Sequence, residues 1–271
     1  MRFNVHGGHS LKCRGASGYL DEVNEDRKVK NRVIELLRAN GHTVYDCTDD
    51  GGASQNANLK AIVNKCNAHS VDLDVSIHLN SGRNDSIGDG KIGGVEVWVY
   101  SQTSKSKPYA DRICQKVASE LQMTNRGTKY CGNNLYVIRK TKSPALLIEC
   151  CFVDDKDDAV RWNADKCAKA IVEGILNKSV TESKAPSANT TSNNQQLGTY
   201  VVTAKDGLKV RKGPGTNYDR KAKNELTPDA QKHSNVNGGL LYGTRVTVSE
   251  FKNGWAKIPS GWVSANYLKK A

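Results

Sequence analysis

Three short runs in this sequence hold residue types whose spacing could do chemistry. Val5-His6-Gly7-Gly8-His9-Ser10 ends an apolar run with two imidazoles and paired glycines, which let a backbone turn sharply and approach a ligand closely. In Asp74-Val75-Ser76-Ile77-His78-Leu79-Asn80, period-two alternation puts Val75, Ile77 and Leu79 on one face and His78 on the other, with Asp74, Ser76 and Asn80. Ala145-Leu146-Leu147-Ile148-Glu149-Cys150-Cys151-Phe152 sets a carboxylate among apolar neighbours, which is costly unless it is paired, metal-bound or protonated. A fourth run, Val23-Asn24-Glu25-Asp26, opens a helical pattern, where acidic residues also suit the helix N-terminus. Each run has a plainer reading: a loop histidine, a hydrogen-bonded core histidine, a buried ion pair of Glu149 with Arg139 or Lys140. Together they supply two His and a Glu from three elements, an arrangement that binds zinc with an open fourth position for hydrolysis, and a second Glu to serve as general base.

These residues need a scaffold, and 271 residues suggest two domains rather than one. Buried-strand patterns fall at residues 2–6, 43–47, 74–79, 95–100, 135–139 and 145–152, and helical patterns at 25–40, 56–69, 107–122 and 157–176. Strand and helix in alternation predict an α/β domain over residues 1–179, a twisted, mostly parallel sheet flanked by helices. Residues 180–197 are Ser, Thr, Asn, Gln and Ala-rich, the composition of a flexible linker. From 198 to 271, short alternating runs between Gly and Pro predict a small all-β barrel, with a polar excursion at 224–239.

Charge is unevenly shared between the two. The chain carries +12, and residues 198–271 hold 13 Lys+Arg against five Asp+Glu, so +8 lies in the last quarter. An anionic partner is expected there. Nucleic acid is disfavoured, because no helix-turn-helix or zinc-finger pattern accompanies the charge, and no apolar run is long enough for membrane insertion. The eight Cys form no C-x-x-C pair and read as reduced thiols. His6, His9 and Lys12 stand where an export signal would be apolar, so synthesis in the cytoplasm without a signal peptide is expected.

Gly8-His9 after the first strand, Glu25 opening the next helix, Ser76-Ile77-His78-Leu79-Asn80 and Leu147-Ile148-Glu149 together resemble the zinc-dependent N-acetylmuramoyl-L-alanine amidases that cut bacterial peptidoglycan. The resemblance implies that His9, Glu25 and His78 hold zinc and that Glu149 is catalytic. Two departures stand out. His6-Gly7 replaces the acidic residue that often precedes Gly-His in the family, and Glu22 competes with Glu25. Glu25 is preferred because Val29, Val33 and Leu36 fall at +4, +8 and +11 from it, close to the family's helix pattern.

The C-terminal segment resembles bacterial SH3-like cell-wall-binding domains. Gly207-Leu208-Lys209-Val210-Arg211-Lys212-Gly213-Pro214-Gly215-Thr216-Asn217-Tyr218 looks like their opening motif, and Gly254-Trp255-Ala256-Lys257-Ile258 with Gly261-Trp262-Val263-Ser264 like their closing strands. Trp255 and Trp262 read as core aromatics, and residues 224–239 have no counterpart in short forms of the module. The two resemblances imply cleavage of the amide between N-acetylmuramic acid and L-alanine, with peptidoglycan as substrate and an anionic or peptide wall ligand as partner. An amidase with a wall-binding module and no export signal resembles a phage endolysin, released to the wall at lysis. A host autolysin and a non-catalytic wall-binding protein are the alternatives.

Overall fold

In the computed structural model, which describes residues 1–180, 197–204, 207–215, 218–252 and 254–271, the chain divides into two compact units, residues 1–183 and 184–271. Almost all of the expected linker, residues 181–196, lies outside the described residues.

The first unit runs β1 (Arg2–Gly7), α1 (Glu22–Ala39), β2 (Thr43–Asp46), α2 (Gln55–Asn67), β3 (Leu73–Asn80), β4 (Val95–Val99), α3 (Lys107–Leu121), β5 (Asn125–Tyr130), α4 (Tyr136–Lys140), β6 (Ala145–Phe152), α5 (Lys156–Arg161) and α6 (Ala164–Leu176). Its strands form one sheet in the order β2-β1-β3-β6-β4-β5. All neighbours are parallel except β4 and β6. Alternation along β1 sends Phe3 and Val5 into the main core beneath α1, while Asn4 points the other way and donates to the Cys66 carbonyl of α2. α1, α3 and α6 pack together over that core, and α2 packs with α4 over a smaller cluster of Cys47, Ile62, Val63, Cys66 and Val137. This is the α/β arrangement that the alternating patterns predict.

Four details differ from the sequence reading. Residues 135–139, an apolar and β-branched run, form α4 rather than a strand: Val137 faces the small Cys cluster and Ile138 faces Cys131 and Leu147, so tertiary contacts override local preference. The strand β5 carries no apolar alternation, because Asn125-Arg126-Gly127-Thr128-Lys129-Tyr130 lies at the sheet edge and buries neither face fully. The last helical pattern breaks into α5 and α6, with Asn163 capping α6. α1 starts at Glu22, three residues early, because the Asp21 carboxylate accepts from the Asn24 backbone N–H at 2.9 Å and acts as its N-cap.

The second unit is built of small antiparallel sheets around Val202, Leu208, Val210, Leu240, Ala256 and Val263. The 224–239 excursion holds a short helix, Pro228–Lys232, and Leu226 beside it joins this core.

Candidate metal centre

The carboxyl ends of β1 and β3 lie side by side, with His6 in register with Ser76 and Gly7 with Ile77. Beyond them Gly8 N donates to Ile77 O at 2.9 Å, so the chain turns tightly against β3. Gly8 is required there, because a Cβ would overlap the His78 imidazole. The turn carries His9 with φ +51°, in the left-handed region that non-glycine residues seldom adopt.

Glu22, the first residue of α1, reaches between the two imidazoles. Its Oε1 lies 3.0 Å from His78 Nδ1 and its Oε2 3.3 Å from His9 Nε2. One ligand atom from each of the three groups lies within 4.8 Å of the other two. Ala16 N donates to Glu22 Oε2 at 2.8 Å, and a side chain at Gly15 would overlap the same oxygen. Burial opposes ionisation of Glu22, but the two histidines outweigh it and hold the carboxyl well below the usual carboxylate range. The hydrogen bond to Glu22, against the cost of burial, raises His9.

Glu25, the acid expected to join the two histidines, lies outside this cluster. The structure brings His9 and His78 together around Glu22, whereas Glu25 accepts from Trp162 Nε1 at 2.9 Å and from Lys28 Nζ at 2.6 Å, tying α1 to the connection between α5 and α6. Recognising Asp21 as an N-cap is the sequence signal that would have put Glu22 in the first turn. His6 stays outside the cluster. It is buried, its Nδ1 faces Gly7 O at 3.3 Å and Ser76 Oγ at 3.5 Å, and burial, helped by His78, lowers it to about 3, so it is neutral.

Glu149 sits on β6 directly across from His78 on β3 and from Glu96 on β4. Its Oε2 is buried with no hydrogen-bond partner among the described residues. Burial first, then the negative charges of Glu22 and Glu96, push its carboxyl well above the usual range. Among the described residues no ion pair joins Glu149 to Arg139 or Lys140, the partners expected of a buried pair. Arg139 and Lys140 lie on α4, and Arg126 is paired with Glu96, the residue opposite Glu149, at 2.8 Å. Glu96 also accepts from Asn80 Nδ2 and Trp98 Nε1, each at 3.1 Å, so three donors hold its carboxylate in place.

The donor set fits zinc. Two imidazole nitrogens and one carboxylate converge, a set of nitrogen and oxygen donors of the kind that would hold zinc. A second carboxylate with an unsatisfied oxygen waits one strand away.

Comparison with known proteins gives this class of fold and site a family. Residues 5–178 match the N-acetylmuramoyl-L-alanine amidase family, and the chain belongs to it. Among relatives, an uncharacterised 38.4 kDa protein of Clostridium perfringens is 34% identical over 80% of this chain and 65% of its own length. The amidase LytC of Bacillus subtilis is 34% identical over 62% of this chain and 34% of its own. The first unit also resembles the catalytic domain of the CD27L endolysin targeting Clostridia difficile, with 31% identity, a TM-score of 0.58, and coverage of 67% of this chain and 99% of that one. The chain spans 65% and 55% of the lengths of two clostridial relatives.

Proposed function

We propose that the chain is a zinc-dependent peptidoglycan hydrolase that cuts the amide between N-acetylmuramic acid and L-alanine, with His9, Glu22 and His78 holding the metal and Glu149 as the general base. The observation that carries this reading is the bridge of Glu22 between the two histidines, with Glu149 one strand away from His78. Bound zinc supplies polarisation of the amide carbonyl and acidification of a water. Glu149 would take a proton from the attacking water and later deliver one to the leaving amine. A carboxyl raised by burial suits both steps, because a proton-transfer group works best with a pKa near the working pH. The test is to digest purified peptidoglycan and identify the new ends: free L-alanine amines beside intact glycan strands support the reading, whereas new reducing sugars alone overturn it.

For the second unit we propose attachment to the wall. Trp262 is buried, as expected of a core aromatic, but Trp255 is half-exposed. It lines a concavity of about 270 Å³ with Lys209, Arg211, Ser264 and Tyr267. The Arg211 guanidinium lies 5.8 Å from the Trp255 ring centre. Lys209 is lowered by partial burial and then by the charges of Arg220 and Arg211, a concentration of positive charge that favours an anionic wall ligand over a neutral one. The two functions together fit a phage endolysin made in the host cytoplasm. The endolysin of Bacillus phage SPP1 is 29% identical over 62% of this chain. A host autolysin with the same activity is the second reading, favoured by the likeness to LytC.

A further inference from the structure

Arg27 lies on α1 five residues after Glu22, and its guanidinium spends every N–H it has on one small region. Nη1 donates to Gly8 O and to Asp26 Oδ1, both at 2.7 Å. Nη2 donates to His9 O at 3.0 Å and to Asp50 Oδ1 at 2.7 Å, and Nε donates to the same Asp50 oxygen at 3.1 Å. Five donors and five bonds leave this planar group no freedom to turn. The carbonyls of Gly8 and His9 belong to the two peptide planes on either side of the His9 Cα. Fixing both planes fixes the backbone dihedrals of His9, which sit at φ +51°, a conformation disfavoured for an L-residue. The neighbouring sequence makes room for the contact, since a Cβ at Gly7 would overlap Arg27 Nη1 and crowd Asp26 Oδ1.

We propose that Arg27 is a positioning residue of the metal centre: it locks the Gly8-His9 turn in the left-handed conformation that aims His9 Nε2 at Glu22, with Asp26 and Asp50 holding the guanidinium in place. One helix then supplies both a metal ligand and the clamp on the loop that carries another, so the spacing of His9 and Glu22 is set by a single rigid element. Lysine cannot take over this role, because a point-charge ammonium does not span two successive carbonyls and two carboxylates. The proposal rests on the metal reading above.

The test is zinc affinity of the full chain, measured by competition with a chromophoric chelator, for the wild type, Arg27→Lys, Arg27→Ala and Asp50→Ala. Arg27→Lys is expected to weaken zinc binding by about 10–100-fold, the range typical of residues that orient metal ligands from behind. Asp50→Ala, at a half-exposed anchor, is expected to lose less and to leave the metal-free thermal melt unchanged. The visible spectrum of the cobalt(II)-loaded Arg27 variants should shift as His9 leaves the ion, a change that loss of stability alone does not produce. Millimolar guanidinium should restore part of the affinity of Arg27→Ala. If the wild type binds zinc tightly and both Arg27→Lys and Asp50→Ala bind it equally well, the positioning role is overturned. If Arg27→Lys does not fold, Asp50→Ala decides alone. A wild type that binds no zinc overturns the metal reading itself, a result distinct from equal affinities.

Discussion

The two units handle charge in opposite ways. In the first, Glu22, Asp26, Lys30, Asp74 and Glu96 are all buried, and each is held by named donors or acceptors. In the second, described cations such as Lys209 and Arg220 stay at the surface, and the ion pairs Lys212 to Asp219 and Glu225, and Lys257 to Glu250, are solvent-exposed. Buried charge is costly and geometrically fixed, which suits aiming ligands at one point. Exposed charge is cheap, mobile and screened by salt, which suits attraction to an extended anionic surface. The contrast agrees with the proposed division between a unit that does chemistry and one that attaches to the wall.

The largest expected effect removes a ligand. Glu22→Ala should abolish both zinc uptake and hydrolysis, while Glu25→Gln, three residues on, should keep its zinc in metal analysis of the purified protein. The reverse result would restore Glu25 to the site. His9→Ala and His78→Ala should match Glu22→Ala, and His6→Ala should keep its zinc.

Next comes Glu149→Gln, nearly isosteric, which should retain zinc and fold but lose about 10²–10⁴-fold in turnover on peptidoglycan fragments. Wild-type rates in that variant would pass the base role to another residue.

A third effect concerns stability alone. Burial raises the Asp74 carboxyl to about 6, against the opposing hydrogen bond from Asn4. Between about pH 4 and 6 the folded chain therefore keeps a proton that the unfolded chain has lost, so stability falls as pH rises through that window and the full cost, about 3 kcal/mol, is present above it. Asp74→Asn is neutral throughout. It should raise the pH 7 denaturation midpoint of the metal-free protein and flatten its pH 4–6 slope; an unchanged slope would mean that Asp74 ionises without penalty.

The smallest effects belong to the second unit. Lys209→Glu or Arg220→Glu in the full chain should weaken sedimentation with intact walls by about two- to fivefold each, as exposed charges do, and binding should fall as salt rises. Salt-independent attachment would favour recognition of a neutral peptide or sugar at Trp255 instead.

Most of the first unit was legible because its strands are buried on both faces or alternate cleanly, and because burying an apolar run leaves few ways to fold it. The exceptions were segments where local pattern and tertiary role part company. Residues 135–139 look like a strand but pack as a helix, and β5 is too polar and too close to the edge to announce itself. Trp255 and Trp262 are alike in sequence, yet only Trp262 is buried.

The sequence by itself determined which residue types meet: His9, His78 and Glu149 stand at the ends or on the polar faces of strands whose alternation can be read directly. It did not determine which acid completes the set. Glu22 and Glu25 are three residues apart on one helix, so they point to adjacent faces, and the apolar spacing from Val29 to Leu36 fits a helix that starts at either. The choice was made by the Asp21 cap, which starts α1 early, and by the packing of α1 against β3 and α6, which turns Glu22 toward His78 and Glu25 toward Trp162. A helical pattern gives the angle between two side chains, but the rotation of the helix about its own axis is fixed only by what it packs against.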